Sequence, residues 1–149
     1  MGMSVSPANM SASERTAWAI NAYNFLTIER MTLNLLVPRR RFMRYDSPKQ
    51  VNNEAGFFIA APVTTVDGVR YSLSGFERRF LYGDTTCNPV DDGTMPRERS
   101  GDPRIQCALV KASVCSGPPL FWPYRADSLE AQLDRAARLA LALPSWLRT

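Results

Sequence analysis

Residues 57 to 73 read Phe57-Phe58-Ile59-Ala60-Ala61-Pro62-Val63-Thr64-Thr65-Val66-Asp67-Gly68-Val69-Arg70-Tyr71-Ser72-Leu73. Two β-prone runs, Phe57 to Val63 and Val69 to Leu73, flank the dipeptide Asp67-Gly68. Asp and Gly tolerate the positive φ angles of a tight turn, so the stretch predicts an antiparallel hairpin. Pro62 has no N–H to contribute to a ladder and is expected at an edge or a bulge. This small sheet decides the fold class, because the longest periodic segments on either side of it read as helix.

Upstream, Ser11 and Glu14 have the spacing of a capping box, and Trp18, Ala22, Phe25, Leu26, Leu33 and Leu36 carry the apolar pattern on to Val37 before Pro38. They predict a long first helix. Residues 1 to 13 are expected to form a flexible tail. Residues 38 to 56 read as a long, polar, Arg-rich connection. Downstream, Ser74 and Glu77 are spaced as a second capping box, ahead of a short helix through Phe76, Phe80 and Leu81 that Gly83 closes. Residues 84 to 102 have almost nothing to bury and read as an exposed loop. Ile105 to Ala112 is a compact apolar run, interrupted by Gln106, whose length favours a buried strand. Asp127 or Ser128 caps a last, amphipathic helix with Leu129, Leu133, Ala136, Ala137, Ala140 and Leu143 on one stripe, ended by Pro144. A long N-terminal helix, a small antiparallel sheet with a hairpin and a C-terminal amphipathic helix make an α+β fold. The expected organisation is one compact domain over residues 14 to 149.

The chain has 149 residues, 45% of them hydrophobic and 21% charged, which places it among ordinary globular domains. It contains no histidine. That removes the commonest general base, the commonest zinc ligand and the usual partner of a Ser or Cys nucleophile. Basic residues number 18 against 14 acidic, and only Arg39, Arg40, Arg41 and Arg44 cluster. This cluster follows the first helix, where cations suit the carbonyl end of the dipole, and a solvated or partner-facing role is favoured over nucleic acid or anionic lipid. Cys87, Cys107 and Cys115 are an odd set without CxxC spacing and read as reduced, intracellular thiols. No run is long and apolar enough to predict a membrane span. The acidic pair Asp91-Asp92 lacks the alternating oxygen ligands of a calcium loop, so neither a metal nor a cofactor is expected.

The residue most able to carry chemistry is Cys115, set in Ser113-Val114-Cys115-Ser116-Gly117. A thiol at such a turn is nucleophilic when a base lowers its pKa. Lys111 and Arg104 are placed to stabilise a thiolate by charge, but neither is a good proton acceptor at neutral pH. Asn21 and Asn24 either line a site or tie the first helix to loop backbone, and the structural role is favoured. Asp102-Pro103-Arg104 puts a carboxylate and a guanidinium at the start of the predicted central strand, an arrangement expected to be architectural.

Taken in order, these pieces resemble a family: Trp18-x-x-Asn21-x-Tyr23-Asn24, then Gly68-x-x-Tyr71-Ser72-Leu73 with Glu77, then Asp102-Pro103-Arg104-Ile105, Cys115, Pro118, Tyr124 and Gln132-Leu133. The resemblance is to the domain of unknown function family number 547, over about residues 14 to 143. It implies a distant likeness to papain-like or transglutaminase-like thiol enzymes. The departures bear on function. Where the family pattern carries a His after Asp-Pro-Arg-apolar, this chain has Gln106. Where it carries a Cys ahead of a Ser-Cys-Pro turn, a gapless reading places Lys111, and only a one-residue shift brings in Cys115. Arg78 stands where a His commonly follows the motif glutamate. Members usually extend further on both sides, which leads to the expectation of core surface left for a partner. The leading expectation is therefore a non-catalytic structural or interaction subunit of a larger protein assembly. In it, Trp18, Asn21, Tyr23, Asn24, Glu77, Asp102 and Arg104 hold the fold. The alternative is a thiol-dependent acyl transferase or hydrolase using Cys115 with Gln106 and Asn24.

Overall fold

A computed structural model describes residues 6–35, 61–90, 101–111 and 122–143. Their architecture is α+β: four helices and one two-stranded antiparallel sheet. The first element is a 3-10 turn, Pro7–Asn9, whose Pro7 is buried and whose flanking Ser6 hydroxyl donates to Asp67 Oδ2 at 3.1 Å. Helix α1, Ala12–Leu35, follows. Its start is the capping box that the sequence predicts. The Ser11 N–H donates to Glu14 Oε2 at 2.8 Å and the Glu14 N–H to Ser11 Oγ at 3.3 Å, so two amides that lack helical partners are satisfied reciprocally. Ala19, Ile20, Tyr23 and Leu26 of α1 face the core, and Phe25, Ile28 and Leu33 lie exposed on the other side.

The hairpin pairs β1, Thr64–Val66, with β2, Val69–Tyr71, in the register Thr64 to Tyr71 and Val66 to Val69. Asp67 at φ 48° and Gly68 at φ 79° form the turn, whose two left-handed residues match the twist of the strands. The second strand is shorter than the run Val69 to Leu73 that the sequence predicts, and the first lies after the predicted run Phe57 to Val63, not within it. The first begins at Thr64, beyond Pro62, which supplies no ladder N–H. Phe57 to Ala60 of the predicted strand lie outside the described residues, as do the Arg-rich connection and residues 91 to 100 of the predicted loop.

Helix α2, Leu73–Phe76, runs directly into a π-helical turn, Glu77–Leu81. Its cap is Ser72, two residues ahead of the predicted Ser74, and Ser72 Oγ accepts the Gly75 N–H at 3.0 Å. Both serines have the right spacing to a following helix. Ser72 acts because it leaves β2 in extended conformation, so its side chain faces the first turn. The turn ends as expected near Gly83, at φ 69°.

The largest correction concerns Ile105 to Ala112. The predicted strand is a single helical turn, α3, Ile105–Ala108, followed by Leu109 in extended conformation, with Ala112 outside the described residues. Asp102 and Pro103 are the reason. Asp102 Oδ1 accepts the Arg104 N–H at 2.9 Å, its carbonyl accepts the Ile105 N–H at 3.1 Å, and proline presets a helical φ. Helix α4, Leu129–Leu141, buries Leu129, Leu133, Ala136 and Ala140 of the predicted stripe, while Ala137 is half-buried and Leu143, also half-buried, lies past the helix end. Ser128 occupies its cap position without a side-chain capping bond.

One core joins these pieces. Ile20, Leu73, Phe76 and Leu133 are sealed from solvent, each contributing about 1.5–3 kcal/mol of apolar transfer. Trp18, Phe76, Phe80 and Tyr71 pack as a ring cluster with centroids 4.8 to 5.6 Å apart. Among the described residues no helix is long and apolar enough to cross a membrane.

Candidate functional site

Two asparagine amides fix the frame of the site. Asn21 Nδ2 donates to the Tyr124 carbonyl at 2.8 Å while its Oδ1 accepts the Tyr124 N–H at 2.8 Å. One turn further along, Asn24 Nδ2 donates to the Ala108 carbonyl at 3.0 Å and its Oδ1 accepts the Val110 N–H at 2.8 Å. Each amide uses one donor and one acceptor on main chain that no regular ladder serves, as a neighbouring strand does. The consequence is positional: α1 holds both the segment after α3 and the segment before α4.

The segment pinned by Asn24 carries Lys111. Its Nζ lies 2.6 Å from Glu77 Oε1 and 3.3 Å from the Tyr23 hydroxyl, and 4.9 Å from the centre of the Tyr23 ring. The Tyr82 hydroxyl donates to the same Glu77 oxygen at 2.9 Å. Glu77 and Tyr82 come together because the π-turn brings residues five apart onto one face. Tyr23 and Tyr82 are buried, the Glu77 side chain is 9% exposed and that of Lys111 29%, so the lysine is the most exposed member of the cluster. Burial, and then the Glu77 carboxylate, push the Tyr23 hydroxyl well above the usual tyrosine range. As an ion pair with hydroxyl support, Lys111 and Glu77 neutralise one another and satisfy most of their hydrogen bonding.

A second polar knot is centred on Arg104. Arg104 Nε lies 3.0 Å from each Asp102 oxygen, Nη2 2.6 Å from Glu130 Oε2 and Nη1 2.6 Å from Asp134 Oδ1. Three carboxylates raise the guanidinium above its ordinary value, and in return Arg104 lowers Asp102. The knot ties α3 to the outer face of α4.

The structure therefore brings Tyr23, Asn24, Glu77 and the Lys111 segment together around the middle of α1. Trp18 lies in the aromatic cluster, against Phe76 and Phe80. Asn21 holds Tyr124, and Asp102 and Arg104 are at α3. Gln106 is half-buried on α3. Cys115, Arg39, Arg40, Arg41 and Arg44 lie outside the described residues. Among the described residues no group of His, Cys, Asp and Glu is arranged to hold a metal ion. Sequence reasoning missed Tyr82, Glu130 and Asp134. An acidic pair four residues apart on α4 was a readable signal for an arginine partner. Tyr82 had none, since a five-residue spacing suits only a π-turn.

These features define a small α+β domain in which a half-buried lysine–glutamate pair lies beside the helix that organises the fold. A family model, described as Protein of unknown function, DUF547, matches residues 7–139, and the chain belongs to that family. Comparison with curated proteins and with solved structures found no match.

Proposed function

We propose that this chain is a non-catalytic structural or interaction subunit of a larger protein assembly. The observation that supports the reading is the 2.6 Å ion pair between Lys111 and Glu77. In the family pattern that the chain resembles, a cysteine stands at that place on a gapless reading, and a histidine stands where this chain has Gln106. A lysine there offers no thiolate, and its charge is committed to the adjacent carboxylate. The amides of Asn21 and Asn24 are likewise committed to main chain, and Arg104 to three carboxylates. In this reading Trp18, Asn21, Tyr23, Asn24, Glu77, Asp102 and Arg104 serve the fold. Arg39, Arg40, Arg41 and Arg44 offer contact surface to another protein rather than to nucleic acid or anionic lipid. The domain needs no metal or cofactor, and works inside the cell.

Light scattering on protein from its native source, beside recombinant protein, tests this. The expected result is a native species far larger than 16.7 kDa. A 16.7 kDa monomer in both samples sinks the proposal. Alkylation at neutral pH then addresses the thiol-enzyme alternative: a Cys115 that reacts much faster than Cys107, whose thiol is pushed up by burial, supports catalysis.

A further inference from the structure

We infer that the groove between the Pro7–Asn9 turn, the hairpin and the π-turn docks a short acidic segment of a partner protein, one that sets a carboxylate beside aliphatic side chains. The inference rests on the interaction-subunit reading and names the surface and chemistry through which it operates.

The groove encloses about 520 Å³, within the span of roughly 300–1,000 Å³ typical of ligand sites. Val69, Tyr71 and Phe80 give it an apolar lining, with Val69 41% exposed. Two guanidiniums, Arg15 and Arg79, also line it. Their state differs from that of their neighbours. Arg78 is held by Asp84 at 2.7 Å and Arg104 by three carboxylates, whereas among the described residues neither Arg15 nor Arg79 is paired with a carboxylate. The Arg15 guanidinium donates to the Met10 carbonyl, at 3.1 Å. Asp67, the acidic residue of the lining, accepts the Ser6 hydroxyl at 3.1 Å. Two cations against one carboxylate leave the groove net positive, and guanidinium forks match carboxylates in geometry as well as charge. An apolar floor with only two cations suits a peptide better than a polyphosphate backbone, which draws on many basic contacts.

Fluorescence anisotropy with the full chain tests this, using a labelled peptide of alternating Glu and Leu and its counterpart of alternating Lys and Leu. The Glu–Leu peptide is expected to bind about tenfold tighter or more than the Lys–Leu peptide. Arg15→Glu and Arg79→Glu are each expected to weaken it about tenfold, while Arg138→Glu, the same charge change on α4, leaves it within about twofold. Arg15 is exposed near the start of α1, so its variant keeps the test open if the half-buried Arg79 variant fails to fold. Equal binding of the two peptides overturns the inference, and so does an Arg138→Glu loss as large as that of Arg15→Glu. Peptide binding by a chain that is monomeric in its native source upholds the groove and sinks the subunit reading; a large native complex with no peptide preference does the reverse.

Discussion

Removing one member of an ion pair shielded from water is worse than removing both, and the half-buried Lys111–Glu77 pair allows that difference to be measured. Glu77→Gln leaves an ammonium facing the Tyr23 hydroxyl without its carboxylate, at an expected cost of about 3 kcal/mol, the low end for such losses because Lys111 reaches solvent. The double variant Glu77→Leu with Lys111→Met removes both charges and is expected to cost less than the two single variants summed, by about 1–3 kcal/mol in urea titrations. Additive losses would show that the groups act separately. Asn24→Ala deletes one donor and one acceptor and strands the Val110 N–H, so about 1–3 kcal/mol should be lost. At this scale the sequence was half legible. Asn21 and Asn24 stood out as amides on an apolar helix, which must find partners. Lys111 looked like an aid to a thiolate, because only the fold shows that Glu77 reaches it first.

Caps and turns are local, and so the elements they define were readable: Ser11 with Glu14, and Asp67 with Gly68, announce their structures within four residues. Ile105 to Ala112 was not readable, because a short apolar run fits a buried strand and a helical turn equally well. The deciding bonds come from Asp102, three residues ahead of the run. Two glycines separate local conformation from packing in the same way. Gly68 has φ 79° and nothing within 4 Å of an added Cβ, so Gly68→Ala costs only the left-handed conformation, about 1–2 kcal/mol. At Gly75 an added Cβ would fall 1.9 Å from the Pro89 carbonyl oxygen. Backbone must move there, and it is backbone that accepts the Ser72 N–H at 3.0 Å. Gly75→Ala is expected to cost about 3 kcal/mol, the upper part of the overpacking range, and to speed hydrogen exchange at the Ser72 amide. If the two variants prove equally stable, the close approach of residues 88 and 89 to α2 is not a constraint on the fold.

For the whole molecule, the charges set where in pH it is secure. Asp84 is held down to about 2 by the Arg78 guanidinium and by Thr86, and Asp102, Asp127 and Glu14 are lowered by their own hydrogen-bond partners. A depressed carboxylate stabilises the fold above its unfolded value and loses that contribution as pH falls through the folded one. For Asp84 the window runs from about pH 4 down to 2. Tyrosine has the opposite sign. Tyr124 is pushed up to about 12 by burial and by Cys107, and burial raises Tyr23. Their contribution is whole below about pH 10 and is lost above it, for Tyr124 as pH rises through about 12. Between these limits lies the region where histidine ordinarily titrates, and the 149 residues contain none. Urea midpoints are therefore expected to stay level from about pH 5 to 8, then fall on both sides, with the alkaline fall coinciding with tyrosinate absorbance. A step near pH 6 or 7 would overturn this expectation, because the lowered carboxylates and raised tyrosines that set the two limits titrate well away from it.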